Sequence, residues 1–380
     1  MITKAKRLQD VEEYYFSVKL REVVALRAAG KPIISIAIGS PDLVPSQKVL
    51  DVIVDAVQHP KAHGYQSYQG LIEFRTAISN FYKRNYNVAL NPENEVLPLM
   101  GSKEGIMHIS MAFLNEGDEV LIPNPGYPTY TSVTNLVGAT PVFYDLTEAN
   151  SWEPNFDELE KLDLSKVKIM WTNYPHMPTG APATKELYKK LVAFATAHDI
   201  LLVNDNPYSF ILNDNPISIL DVDAADGHVL ELNSLSKTFN MAGWRVGMLL
   251  GNQELIKTVL QVKSNFDSGM FYGIQQGAIA ALNSESDWFA QNNKIYENRR
   301  KIVWQILDKL NCSYNKKSVG MFVWAKLPEG IKTDEMVDDL LYNKNIFITP
   351  GHIFGSNGEG YIRLSLCIDE QQLTEALSRL

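Results

Sequence analysis

The chain has 380 residues, room for one large unit and a second smaller one. Hydrophobic residues make up 45% and charged residues 21%, an ordinary globular balance, and a net charge of −9 argues against a nucleic-acid or anionic-membrane surface. Cys312 and Cys367 fit neither a disulfide scaffold nor a zinc site. MITKAKRLQDVEEYY has no signal-peptide core and no run is long enough to span a bilayer, so the cytoplasm is expected.

Residues 5–29 read as a helix-rich arm, followed by a short apolar strand, Ile33–Ile38, and a Gly39-Ser40-Pro41-Asp42 turn. Residues 47–58 predict an amphipathic helix. Tyr65-Gln66-Ser67-Tyr68-Gln69-Gly70 precedes another helix that runs through Lys83. Val96–Met100 predicts a strand that enters Gly101-Ser102-Lys103-Glu104-Gly105, with an apolar helix from Ile106 to Leu114. Such a loop presents backbone N–H groups and a positive helix end to an anion. The spacing is neither a nucleotide P-loop nor a dinucleotide fingerprint.

Strands and helices then alternate. Strands are predicted at Glu119–Pro123, Pro141–Asp145, Lys166–Thr172, Ile200–Asn204, Val229–Leu232 and Trp244–Leu250, with a helix at Thr184–His198. Short buried strands alternating with helices predict an α/β fold with a mostly parallel, seven-stranded-type sheet flanked by helices. In such sheets ligands sit beyond the carboxyl ends of the strands, which is where Ser102, Tyr127, Met177, Asp205, Ser234 and Lys237 fall. The pattern changes near residue 285. A long helix at about 286–310, two strands around Gly320–Lys326, a helix at 333–342, a strand to Pro350-Gly351, a strand Tyr361–Leu366 and a final helix suggest a smaller α+β domain. The expected division is a large domain over 46–284, with 1–45 and 285–380 forming the arm and small domain.

The segment richest in chemistry is Ser234–Gly247, SLSKTFNMAGWRVG. Lys237 sits there beside two hydroxyls and eight residues before Arg245. A lysine in a loop is usually a solvated charge, but this setting suits a desolvated, nucleophilic amine near an anion. Asp205 can pair with a ring nitrogen; at ~4 Å and an effective dielectric of about 20 that is on the order of 4 kcal/mol before desolvation. Tyr208 can donate to a phenolic oxygen, and Tyr127 can stack on a flat ring. Ser102, Lys103, Ser234 and Arg245 supply donors for a phosphate. Arg363, on an apolar strand, needs a partner such as a substrate carboxylate.

Over about residues 30–380 the chain resembles the class I (fold type I) pyridoxal-phosphate-dependent aminotransferases. The resemblance implies pyridoxal 5'-phosphate as cofactor, Lys237 as Schiff-base lysine and proton shuttle, and Asp205 on the pyridine nitrogen. It implies Tyr208 on the phenolic oxygen, Tyr127 on the ring face, and Ser102, Lys103, Ser234 and Arg245 on the phosphate. Arg363 then binds the substrate α-carboxylate, with Gly39 as a backbone contact, and no metal is needed. Tyr65 matches a tyrosine that reaches the phosphate of the neighbouring subunit, which implies a homodimer with shared active sites. The implied reaction moves an amino group from an α-amino acid to a 2-oxo acid, 2-oxoglutarate being the expected acceptor. A β-eliminating C–S lyase on the same fold is the alternative.

One position departs from the family pattern. Met177 stands before Pro-Thr-Gly, where the family usually has an Asn that donates to the phenolic oxygen, so Tyr208 alone is expected to hold that oxygen. His176 is a candidate to compensate. Dicarboxylate-specific relatives use a partner-subunit arginine in the segment that reads Lys263-Ser264-Asn265-Phe266 here, where Lys263 is the available charge. The Gly-Ser-Lys-Glu-Gly loop and Asp267-Ser268-Gly269 look most like the branch holding LL-diaminopimelate and neutral amino acid aminotransferases. The donor stays open among them.

Overall fold

Seven strands form the central sheet in the computed structural model, which describes residues 2–9, 11, 13–222, 227–284 and 287–380. Their order across the sheet is Val96–Leu99, Gly247–Gly251, Val229–Ser234, Leu201–Asp205, Val167–Thr172, Glu119–Asn124 and Thr140–Asp145. Gly247–Gly251 is antiparallel to both neighbours, and the other pairs are parallel. The inner strands are buried on both faces, as parallel strands require when helices cover them. Alternation divides the side chains. Leu201 and Val203 join one core cluster with Val120 and Ile122, while Leu202 and Leu121 join another on the opposite face.

Two smaller sheets lie apart from this one. Thr349–Pro350, Tyr361–Ser365, Phe322–Lys326 and Ser313–Tyr314 form an antiparallel sheet, and Ile34–Ser35 pairs in parallel with Ile346–Phe347. The expected strand at Ile33–Ile38 is thus shorter. Beyond Ser35 the chain bridges, with the Ile36 N–H donating to the Phe347 carbonyl and the Ile36 carbonyl accepting from Ser365. One strand, not two, occupies the region around Gly320–Lys326, because Gly320 turns the chain at φ +85° just before Phe322. The strand expected from Trp244 begins at Gly247. Ala242–Trp244 makes a 3-10 turn, and Arg245 adopts a left-handed conformation at φ +55°. The long helix runs Asp287–Lys309; residue 286 at its expected start, like residues 10 and 12 of the arm, lies outside the described residues.

The arm contributes a helix, Tyr15–Ala28, whose buried Phe16 and Val23 pack with Tyr296, Val303, Phe347 and Leu373. A charged fork fastens the turn that follows the arm. The Arg299 Nη1 and Nη2 donate to Asp42 Oδ1 and Oδ2 at 2.6 and 2.8 Å, and Nη1 also reaches the Leu366 carbonyl at 3.0 Å. The Arg299 side chain is 4% exposed, so its charge depends on that partner. Asp42→Ala is expected to destabilise the protein by about 2 kcal/mol, with Asp42→Asn intermediate. Urea denaturation checks this; equal stability of Asp42→Ala and wild type would refute it.

Candidate functional site

A cavity of about 490 Å³ opens where the carboxyl ends of the central strands meet the arm and the four-stranded sheet. Ten of the eleven residues expected from the sequence line it. Asp205, Tyr208, Ser234 and Lys237 come from two adjacent strand ends; Ser102, Lys103 and Tyr127 come from two others. Arg245, Gly39 and Arg363 complete the wall. Tyr65 stands apart, 92% exposed on the outer surface, with no part in this cavity.

Ser234 ends its strand and caps the short helix Leu235–Thr238, its Oγ accepting the Ser236 N–H at 3.0 Å. That turn aims Lys237 across the cavity, where Nζ donates to the Gly39 carbonyl. Burial lowers the Lys237 pKa, and Arg363 and Arg245 press the same way against Cys367 and Asp205. The result is an amine biased toward its nucleophilic form.

Asp205 is 5% exposed at the last residue of its strand. Its Oδ2 accepts the Tyr130 hydroxyl at 3.1 Å, while Oδ1 has no partner. Burial pushes the carboxyl up to about 7, with the Tyr130 bond opposing and the buried Glu231 adding to the rise. A buried carboxylate with an open oxygen is a receptor for a cation. Tyr130 was not foreseen; it lies one helical turn beyond Tyr127, and its ring stacks on Trp171 with centroids 4.9 Å apart.

The helix expected from Ile106 starts four residues earlier and runs Ser102–Phe113, with Gly101 before it and no side-chain cap on its first turn. Ser102 and Lys103 of this first turn line the cavity, which places a helix start beside it, as an anion site requires. Gly101 is needed there. It sits at φ +88°, and a Cβ on it would lie 2.0 Å from Arg245 Nη2. The Arg245 Nη1 is held by the Ala242 carbonyl at 2.8 Å and by Ser236 Oγ at 3.4 Å. Lys103 is exposed, with Nζ 4.9 Å from the Tyr14 ring centroid; burial of its stem and the Arg245 charge lower its pKa.

Arg363 is 4% exposed, and its guanidinium carbon lies 3.9, 4.7 and 5.6 Å from the ring centroids of Phe322, Phe354 and Phe16. Its Nη2 donates to the Ala37 carbonyl at 3.0 Å, its Nη1 lies 3.3 Å from Met177 Sδ, and Nε is unpartnered. Burial lowers its pKa to about 10. Among the described residues no acidic side chain bonds it, and a buried cation of this kind can take an anion. Met177 lines the cavity, whereas His176 is turned away onto Thr179 and lines no part of it.

The arm residues Tyr14, Phe16, Ser17 and Leu20 also line the cavity, and sequence reasoning placed none of them there. No local motif marks them; only the tertiary fold brings the arm over the strand ends. Lys263 differs from its expected role too. It forms a buried ion pair with Asp267 of its own chain, side chains 3% and 6% exposed. Glu104, His108 and Asp267 bring ligand atoms within 4.8 Å of one another, but the Lys263 ammonium already occupies Asp267.

Residues 31–380 match the family model described as aminotransferase class I and II. The LL-diaminopimelate aminotransferase of Dehalococcoides mccartyi is 39% identical over 378 residues, 99% of this chain and 97% of that protein. That of Aquifex aeolicus is 39% identical over 382 residues, 100% of this chain and 99% of that one. Among solved structures, substrate-bound BacF from Bacillus subtilis superposes with a TM-score of 0.94 at 35% identity, covering 100% of this chain and 97% of that chain. An aspartate aminotransferase mutant from Thermus thermophilus, at 24% identity and a TM-score of 0.92 over 100% and 99% of the two chains, shares the fold.

The state of Asp205 can be measured on ligand-free protein. Its folded pKa of about 7 exceeds the ordinary 3.8, so the folded chain holds this proton more tightly than the unfolded chain. The associated stability is complete below about pH 4 and is lost as pH rises through about 7. Three units correspond to on the order of 4 kcal/mol. Asp205→Asn is therefore expected to match wild type near pH 4 and to exceed it increasingly toward pH 8. A stability gap that stays constant across that range would refute this.

Proposed function

The chain belongs to the class I and II aminotransferase family, and from that premise we propose that it moves the amino group of an α-amino acid to a 2-oxo acid, with pyridoxal 5'-phosphate as cofactor and 2-oxoglutarate as acceptor. One observation carries the cofactor assignment. Asp205 offers an unpartnered, buried oxygen on the same cavity wall from which the Lys237 amine projects. The residues present fit this cofactor: a cation receptor for the pyridine nitrogen, an amine for the aldehyde, and an uncapped helix start with Arg245 for the phosphate.

When bound, pyridoxal phosphate supplies an aldehyde that takes up the amino group and a cationic ring that accepts the electrons released at the α-carbon. The chain's own residues do the rest. Asp205, charged once a cation faces it, keeps the ring nitrogen protonated. Tyr127 covers a ring face, and Tyr208 donates to the phenolic oxygen. Ser102, Lys103, Ser234 and Arg245 hold the phosphate. Arg363 takes the substrate α-carboxylate through its planar fork, with the backbone of Gly39 beside it. Lys237 would hold the cofactor through its amine and, with that amine free, would be the base for the α-proton, a task suited to its lowered pKa. The relatives are named aminotransferases, and the C–S lyase alternative finds no support among them.

The reading includes a homodimer whose partner's Tyr65 completes the phosphate site. It is supported by the exposure of Tyr65 together with Tyr68, Phe266 and Phe271, an unusual set of large aromatics to leave in water. A cytoplasmic location is part of the same reading. Among the described residues no helix is long and apolar enough to cross a membrane, and both cysteines are free.

Two measurements test the roles. Lys237→Ala is expected to lower turnover of an amino acid with a 2-oxo acid by at least ~1000-fold, and borohydride treatment of wild type should fix the cofactor on Lys237. Wild-type turnover in the variant would refute the assignment. Met177 has no hydrogen to donate, and among the described residues Asn173 already gives its amide to the Asp205 carbonyl, which leaves Tyr208 as the donor for the phenolic oxygen. With one donor fewer, the Lys237 nitrogen would keep its proton to higher pH when the cofactor is bound. Met177→Asn is expected to lower the pH midpoint of the bound cofactor's visible absorbance change. An unmoved or raised midpoint would refute it.

A further inference from the structure

We propose that the amino donor selected by this site carries a single carboxylate and a large apolar side chain, and that the arm helix supplies the wall that reads it. The proposal rests on the aminotransferase assignment and narrows its substrate.

Charge bookkeeping in the cavity comes first. Asp205 is the sole acid among the described residues that line it, and its carboxylate already serves the ring nitrogen in the proposed mechanism. A donor such as LL-diaminopimelate ends in a second ammonium and carboxylate. Among the described residues of the one chain that lines the cavity, no further carboxylate would meet its distal ammonium.

The shape and polarity of the wall point the same way. Arg363 fixes one end of the donor, and its guanidinium lies among the rings of Phe16, Phe322 and Phe354. Tyr14, Leu20 and Ile38 line the same cavity, with the hydroxyls of Ser17 and Ser40 among them. A side chain that leaves the α-carbon beside Arg363 therefore meets aromatic and aliphatic carbon, which favours burial of apolar surface.

The segment that a second copy would bring also lacks a free charge. Lys263 is closed off by Asp267 within its own chain, and both side chains are buried. This segment leaves Asn265 and Phe266 exposed, neither of them charged, Phe266 at 59%. The acceptor is a separate matter, since 2-oxoglutarate is bound in the second half of the reaction and carries a second carboxylate that the proposed donor lacks.

The test uses the full-length, cofactor-loaded protein, mixed without acceptor with phenylalanine, leucine, methionine, alanine or LL-diaminopimelate, while release of the 2-oxo acid is followed. Phenylalanine, leucine or methionine is expected to exceed LL-diaminopimelate about 100-fold in kcat/KM. LL-diaminopimelate within tenfold of the best apolar donor would overturn the proposal while leaving transamination intact. Failure of every amino acid to release a 2-oxo acid would overturn the aminotransferase assignment itself, and the proposal with it. Leu20→Ala then tests the wall. The ratio of the best large donor to alanine is expected to fall about tenfold. An unchanged ratio would overturn the role given to the arm.

Discussion

A carboxylate, an amine and a guanidinium share one cavity, and the cost of burying their charge governs how the rest of the chain is arranged. Among the described residues, one oxygen of Asp205 has no partner and the Arg363 guanidinium has no acid. Each is costly alone, and neither can retreat into water. Asp205 is fixed because its strand lies in the middle of the sheet, flanked by Val167–Thr172 and Val229–Ser234. Arg363 is fixed by register, opposite Trp324 on one side and Thr349 on the other. A rigid frame thus holds these groups short of partners, a cost that a ligand of matching charge relieves and that, for Asp205 in the ligand-free protein, a bound proton relieves.

The frame behind the cavity is polar as well. Glu231 lies fully buried on the strand that ends at Ser234, and each of its oxygens is bonded. Tyr82 and Ser218 hydroxyls donate to Oε1 at 2.7 and 3.0 Å, and the Ile219 N–H donates to Oε2 at 3.1 Å. Tyr82 in turn accepts from Asn233 at 2.9 Å, and Asn233 Oδ1 accepts the Ser234 N–H at 2.7 Å. The contrast is informative. Glu231 is satisfied on every side and anchors the strand that presents Ser234 and Lys237, whereas Asp205 is left half-satisfied at the cavity. Burial alone therefore does not single out a binding carboxylate; the missing partner does.

Much of this was legible in the sequence because the relevant signals are local. Strand-to-loop transitions placed Ser102, Asp205, Ser234 and Lys237 at strand ends, and the alternation of strands with helices implied a mostly parallel sheet. Boundaries were less legible where backbone conformation, not hydrophobicity, decides them. Ser102 opens its helix because Gly101 turns the chain at φ +88°, and Arg245 at φ +55° delays the strand that the apolar run from Trp244 suggested. Long-range contacts were not legible at all. Phe16 reaches Arg363 across most of the chain, and the Lys263–Asp267 pair gives no hint in sequence that both side chains are buried. Tyr130 reads as one more aromatic in a helix until its hydroxyl is seen on Asp205.

These two kinds of signal divide the function between them. The groups proposed to handle the amino group and the ring nitrogen sit on strand ends, where sheet geometry holds them. The surface that meets a substrate side chain is drawn in part from the arm, from Tyr14, Phe16 and Leu20, which the strand-end motifs do not constrain. A chain can therefore keep the reaction while changing the donor, because the two demands fall on different elements. Conversely, an apolar wall raises the cost of any charged donor only because the strand-end charges are already committed. Specificity here is a difference between what the cavity can satisfy and what it would leave unpaired. That difference depends on Asp205 and Arg363 as much as on the arm.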